Sequence, residues 1–338
     1  MFRKYLLSLL VLALLSSVWV IQHYDLPYPK PLGPIFDAKV KQVHLHGIES
    51  AQPEVVLLGD STLQLGVDAG QLSSALGHGT YKVSIPGSAS AIWYLALKNV
   101  ILESSYKPTT LVLFFRGTLL TRPDDRVTGR YFALVDELAG RHEPLVTQLS
   151  YVQQMSPVEK IMDRYFPLFG NKLTLKDGIE YRPRYGPTVL LLNCDKDCAD
   201  ASVNSLFVTA NLQPEVAHQS LINAEIGLYG SGGEDFAHQV ERFYLPEIIR
   251  LCQKNGIRLI LVHTPTLVYP TRDSEPEFIR RYLADLQTWL EARGVTYLDF
   301  YYDPRITSDM YQDAVHMNER GKVVFTEALA EALKPILK

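Results

Sequence analysis

The sequence predicts an α/β fold, a mostly parallel sheet with helices on both faces. Two observations predict it. Short apolar runs alternate with longer segments of helical periodicity along much of the chain. The run TTLVLFF, residues 109–115, has no polar alternation, as expected of a strand covered on both faces. In order, EVVLL at 54–58 reads as the first strand. VDAGQLSSALG at 67–77 reads as an amphipathic helix stopped by glycine. TYKVSI at 80–85 is the second strand, SASAIWYLALKNVILESS at 88–105 a long helix, and 109–115 the third strand. HQVERFYLPEIIRLCQKNG at 238–256 is a helix closed by glycine despite Pro246. GIRLILVHTP at 256–265 is the fourth strand, 277–294 a helix, VTYLDF at 295–300 the fifth strand, and 318–337 the last helix. No internal repeat is visible.

The chain has 338 residues, enough for one large α/β domain with insertions. Its 47% hydrophobic and 21% charged content is that of a globular protein rather than a disordered one. A net charge of −4 without a dominant basic tract gives no support for nucleic-acid binding. At the start, Arg3 and Lys4 precede the uncharged run YLLSLLVLALLSSVWVI, residues 5–21, near the short end of what spans a bilayer. Trp19, His23 and Tyr24 suit the far interface. Residues 1–24 therefore read as an uncleaved anchor with a cytoplasmic start and an exported body. A cleaved signal peptide is the competing reading, although Ser16-Ser17 followed by Val18-Trp19 makes a poor cleavage site.

Residues 25–49 begin with DLPYPKPLGP and read as a proline-containing stalk, with the folded body over 50–338. The interval from about 117 to 237 breaks the strand–helix alternation and is too long for a simple connection. It reads as an insertion or cap over the carboxyl edge of the sheet, where open α/β folds bind ligands. Of three cysteines, Cys194 and Cys198 form CDKDC, either a local disulfide in an exported chain or two free thiols. Cys252 falls in a helix and reads as a small core residue. Nothing in the sequence calls for a metal or a diffusible redox cofactor.

Two distant segments carry the chemistry. Gly59-Asp60-Ser61 follows VVLL directly, so a serine can project from a sheet end through a tight strand-to-helix turn. Nearby N–H groups there can stabilise an oxyanion. Serine also serves as a plain helix cap or turn residue. Asp313 and His316 lie three apart before the last helix. A serine hydroxyl needs an adjacent base, which His316 can be, and Asp313 can fix the imidazole tautomer. A turn aspartate and a surface-loop histidine are the plainer readings. Asn318, before Glu319 and an apolar run, reads as the helix cap.

These segments resemble the SGNH, or GDSL-type, hydrolase superfamily over about 50–116 and 257–336. The resemblance implies a three-layer α/β/α fold. Its first block contains the nucleophile, here Gly59-Asp60-Ser61. Its last, D-x-x-H, is here Asp313-Ala314-Val315-His316, with the catalytic acid and base. The second block supplies an oxyanion glycine, placed by VSIPGSAS at Gly87, which is otherwise an ordinary turn glycine. The third block, G-x-N-D, has no counterpart asparagine. Phe114-Phe115-Arg116-Gly117-Thr118 stands at the matching strand end. Arg116 or Thr118 could stabilise the oxyanion or hold an anionic part of the substrate, and Arg116 could equally form a structural ion pair. His263 and Asp299, at the ends of the fourth and fifth strands, and Arg122, Arg126 and Arg130 are further candidates near that edge. Asp313 is preferred to Asp299 as the acid because its spacing to His316 matches the last block.

With the N-terminal run, the chain looks like the membrane-anchored branch that modifies bacterial surface polymers, such as D-alanyl transfer and alginate O-acetylation proteins. That resemblance implies O-acyl transfer through an acyl-serine to an envelope polysaccharide or related polymer. It also implies a multispanning membrane-bound O-acyltransferase as partner and an extracytoplasmic site on the cytoplasmic membrane. An envelope carbohydrate esterase or lipase is the alternative enzyme, and a non-catalytic docking subunit the alternative from another class.

Overall fold

The computed structural model describes residues 2–23, 25–26, 28–29, 39–122, 127, 131–140, 143–152, 157–170, 236 and 240–337. The chain forms two compact units, one of residues 36–150 with 218–338, the other of residues 1–35 with 151–217.

The first unit is the α/β body. Its five strands are β1 (Val55–Gly59), β2 (Thr80–Ser84), β3 (Thr110–Phe115), β4 (Arg258–His263) and β5 (Thr296–Asp299). They form one sheet in the order β2-β1-β3-β4-β5, with every pairing parallel. The period-two geometry of a strand then sorts the apolar runs onto two faces. Val56, Leu58, Leu111, Leu113, Phe115 and Leu261 enter one buried cluster. Val55, Leu57, Val112, Phe114, Ile260 and Val262 enter the other. Each such side chain, fully buried, contributes about 1.5–3 kcal/mol of transfer free energy.

Helices cover both faces, which gives the three layers that were expected. On the face of Phe114 lie α3 (Ser61–Gly66), α4 (Ala69–Leu76) and α12 (Glu319–Leu337), with Leu63, Leu72, Phe325 and Leu329 buried. On the face of Phe115 lie α2 (Lys39–Ala51), α5 (Ser90–Ala96), α10 (Tyr244–Lys254) and α11 (Glu277–Glu291). They bury Ile48, Trp93, Tyr244 and Leu286. The helix α5 continues as a π-helical turn over Leu97–Ile101. Pro246 is tolerated because α10 begins at Tyr244, which puts the proline in the first turn, where a missing N–H costs no helical bond.

Two boundaries differ from the sequence reading. The body does not begin near residue 50. The segment 25–49 contains most of α2, whose Ile48 is fully buried in the core. The interval 117–237 is not one separate insertion either. Its first part, through α6 (Phe132–Leu138) and α7 (Pro144–Val146), belongs to the body, with Leu120, Val135, Leu138 and Val146 in the core. Polar groups hold this stretch. Asn99 Nδ2 donates to the Leu138 carbonyl and to Glu143 Oε1, at 2.8 and 2.6 Å. The buried Glu143 also accepts from Lys98 at 2.7 Å and from the Gly140 N–H at 2.9 Å. The RPRYGP and GSGG segments, Cys194, Cys198, Arg126 and Arg130 lie outside the described residues. Cys252 is free and buried, and burial pushes its thiol up to about 12.

The second unit contains α1 (Phe2–His23), α8 (Pro157–Tyr165) and α9 (Pro167–Gly170). By length and composition α1 is able to cross a membrane.

Candidate active site

At the carboxyl end of β1 the chain turns directly into α3. Gly59, the last strand residue, is needed for space: a Cβ there would stand 3.0 Å from the Cβ atoms of both Leu63 and Phe114. Asp60 caps α3, its Oδ1 accepting from the Thr62 N–H at 2.8 Å and the Thr62 hydroxyl at 2.7 Å. Ser61 is thereby the first helical residue, and its own N–H has no partner within the helix.

His316 comes from the opposite end of the sequence. The loop that carries it is closed by an antiparallel bridge between Tyr311 and Met317, with the Gln312 N–H donating to the His316 carbonyl at 2.9 Å. Asn318 caps the following helix as expected, its Oδ1 accepting from the Gly321 N–H at 3.0 Å. Its Nδ2 ties the loop back to the Asp309 carbonyl at 2.7 Å.

These two constructions converge. The Ser61 hydroxyl donates to His316 Nε2 at 2.9 Å, and His316 Nδ1 donates to Asp313 Oδ2 at 2.8 Å. That chain of bonds assigns the ring proton to Nδ1 and leaves Nε2 free to accept. The other Asp313 oxygen accepts from the N–H groups of Val315 and His316, both at 2.8 Å. Burial raises the Asp313 carboxyl. The bond and charge of His316 and the two backbone donors outweigh this and hold it at about 2.

Gly87 lies in the turn after β2, and that turn is pinned to the end of β1. The Ile85 N–H and the Ser88 hydroxyl both donate to the Gly59 carbonyl, at 2.9 and 3.3 Å. Gly87 has φ +75°, and a side chain there would run into the ring of Tyr131.

Arg116 leaves the end of β3 with its Nε 3.6 Å from Asp60 Oδ2, the ion-pair arrangement that the sequence had left open. Thr118 is buried, and its hydroxyl has no hydrogen-bond partner among the described residues. Arg122 supplies the carbonyl that accepts from the Ser90 hydroxyl at 2.8 Å.

His263 and Asp299 form a pair of their own, because β4–β5 register sets them opposite each other. His263 Nδ1 donates to Asp299 Oδ1 at 3.0 Å, and its buried ring lies between Phe115 and Tyr301, at centroid separations of 5.2 and 4.9 Å. Burial raises the Asp299 carboxyl, but the His263 bond and charge and the Tyr301 N–H bring it below the usual value. The Tyr301 hydroxyl accepts from the Tyr269 N–H at 2.9 Å and from the Thr266 hydroxyl at 3.0 Å. In the same loop the Leu267 N–H donates to the Ala314 carbonyl at 2.8 Å, within the segment between Asp313 and His316. Sequence reasoning singled out His263 and Asp299 separately; their pairing and its link to the histidine loop emerge only from the sheet register. Among the described residues no cluster of His, Cys, Asp and Glu has the makings of a metal site.

No protein-family model matches the chain, and no curated protein matches it in sequence. Among solved structures it is similar to a GDSL-like lipase from Bacteroides thetaiotaomicron, at 13% identity over 88% of this chain and 98% of that one, with a TM-score of 0.40. It is also similar to AlinE4, an SGNH-hydrolase family esterase, at 14% identity over 84% of this chain and 96% of that one, with a TM-score of 0.32. Both are distant likenesses of fold, and the chemistry of the site rests on its own geometry.

Proposed function

We propose that this chain is a serine-dependent ester-cleaving enzyme of SGNH type, acting on acyl esters through Ser61, His316 and Asp313. The observation that carries the reading is the continuous hydrogen-bond chain from Ser61 Oγ through His316 to Asp313. In this mechanism Ser61 Oγ attacks the acyl carbonyl carbon while His316 Nε2 takes the hydroxyl proton. The N–H groups of Ser61 and Gly87 are the proposed oxyanion donors. As the tetrahedral intermediate collapses, the bond to the leaving alkoxide breaks and His316 returns the proton to it. Water then attacks the acyl-serine, giving a proton to His316. The bond between Ser61 Oγ and the acyl carbon then breaks, His316 Nε2 returns the proton to Oγ, and the carboxylic acid leaves. Asp313, ionised throughout the neutral range, holds the ring and supports its positive charge. Arg116 acts in this reading through Asp60, steadying the turn that presents Ser61.

A second reading has one observation in its favour, the apolar helix α1. If α1 holds the protein in the cytoplasmic membrane with the body outside, the second nucleophile can be a hydroxyl of an envelope polysaccharide instead of water. The enzyme is then an O-acyltransferase supplied by a multispanning acyltransferase.

The test is turnover of short-chain acyl esters and acylated glycans by detergent-purified full-length protein, with and without an unacylated glycan. Release of free acid, abolished by Ser61→Ala, supports hydrolysis. Acylated glycan formed in preference to free acid supports transfer. Equal turnover by the parent and Ser61→Ala removes both readings.

A further inference from the structure

The unit that contains α1 exposes an apolar surface that the proposed chemistry does not use. Val158 and Ile161 of α8 are 69% and 57% exposed, and Phe166, between α8 and α9, is 51% exposed. Tyr165 and Leu168 are exposed beside them. At 100° per residue Val158, Ile161, Met162 and Tyr165 fall within an arc of about 100°, while sequence positions 159, 160, 163 and 164, all charged, fall on the other side. A contiguous group of large apolar side chains facing outward marks an interaction surface.

Its surroundings indicate what covers it. The helix α9 packs against α1, and the Tyr28 hydroxyl, just beyond α1, donates to the Tyr165 carbonyl at 3.4 Å. Along α1, Leu7, Leu12, Leu14 and Leu15 are exposed, whereas Val20, near the carboxyl end, is buried. Trp19 stacks on His23 at that same end, with ring centroids 4.6 Å apart. A helix of this length spans about 33 Å, close to a hydrocarbon core of about 30 Å. The carboxyl end of α1 therefore coincides with one interface of any bilayer that α1 crosses, and α8–α9 lies beside that end.

We propose that α8, Phe166 and α9 form a membrane-contacting surface. Their apolar side chains lie in the headgroup–acyl boundary of the same bilayer that holds α1, as an amphipathic helix does at an interface. This rests on the reading of α1 as a retained anchor. A phospholipid surface is the occupant because the exposed apolar side chains of α8–α9 belong to a segment packed against a helix long and apolar enough to cross a bilayer.

The experiment uses the full-length protein, one chain per nanodisc, in phosphatidylcholine and phosphatidylglycerol doped with a lipid carrying a diazirine close to its headgroup. After irradiation, labelled residues are mapped by peptide mass spectrometry. The expected result is labelling of 157–170 and of the carboxyl end of α1, severalfold above that of α11. Ile161→Glu combined with Phe166→Glu should remove the label from 157–170 and leave that on α1. Labelled α1 with 157–170 no higher than α11 overturns the proposal while the anchor stands, and means that water or a protein covers this surface. Failure to label either segment overturns the anchor and the proposal together. Labelling of 157–170 that survives both glutamates also overturns the proposal.

Discussion

In the proposed mechanism Ser61, His316 and Asp313 share one proton transfer, and their hydrogen-bond chain has consequences that can be measured at Asp313. Asp313 sits at about 2 in the folded protein because His316 and two backbone donors favour its ionised form. A folded value below the ordinary carboxylate value means that ionised Asp313 stabilises the fold above that ordinary value. This contribution is lost as pH falls through the folded value. Asp313→Asn should therefore flatten the dependence of unfolding free energy on pH between about 4 and 2. Urea titrations at several acid pH values check this, and an unchanged slope would count against the Asp313 bonds. The same substitution should lower kcat by roughly 10²–10⁴-fold at neutral pH, by disturbing the tautomer of His316.

The three residues were legible in the sequence because each sits in a short local string: a serine straight after an apolar strand, and an aspartate three before a histidine at a helix start. The role of Asp60 was not read, although an aspartate just before a helix is a recognisable capping signal. The Arg116–Asp60 contact joins separate strand ends, so it depends on which strands are neighbours.

At the scale of the element, the site depends on turns and loops held by neighbours outside the catalytic chain. Gly87 shows the first kind of support. Its positive φ and the ring of Tyr131 leave no room for a side chain. Gly87→Ala should cost about 1–3 kcal/mol of stability from backbone strain and should lower kcat as well. Thermal unfolding and steady-state kinetics test this, and parent-like values in both would show the turn to be tolerant. The His263–Asp299 pair shows the second kind. His263→Leu keeps an apolar filling between Phe115 and Tyr301 but removes the donor to Asp299. It should cost about 1–3 kcal/mol. It should also reduce kcat more than it changes KM, because the loop of Leu267 holds the Asp313–His316 segment. Unaltered stability and kinetics would remove the pair from that role.

Most elements were predictable from periodicity, since β1, β3 and β4 are largely apolar runs and α10 and α11 each have one apolar face, while β2 (TYKVS) and β5 (TYLD) are mixed. The helix α2 was missed because it follows a proline-rich stretch and has a mixed composition, KVKQVHLHGIESA, with few apolar positions. Its place is decided by packing, as burial of Ile48 shows.

At the scale of the whole molecule, the chain combines an α/β body with a unit that contains one long apolar helix. The sequence predicted the parallel sheet and its two covered faces, because continuous apolar strands have no other way to be buried. It did not predict that part of the 117–237 interval packs into the body, since that depends on buried polar anchors such as Glu143. If α1 is a retained anchor, the full-length protein should require detergent for extraction, and its mature form should yield peptides from residues 1–22. Mature protein that begins after residue 17 would show a cleaved signal instead.

The central claim is that Ser61 is a nucleophile activated by His316. The most direct test is exposure of the full-length protein to a fluorophosphonate or an activated acyl ester, followed by intact-mass measurement and peptide mapping. The account predicts one adduct, on Ser61, absent in Ser61→Ala and formed much more slowly in His316→Ala. No adduct on Ser61, or one formed equally fast without His316, would contradict it.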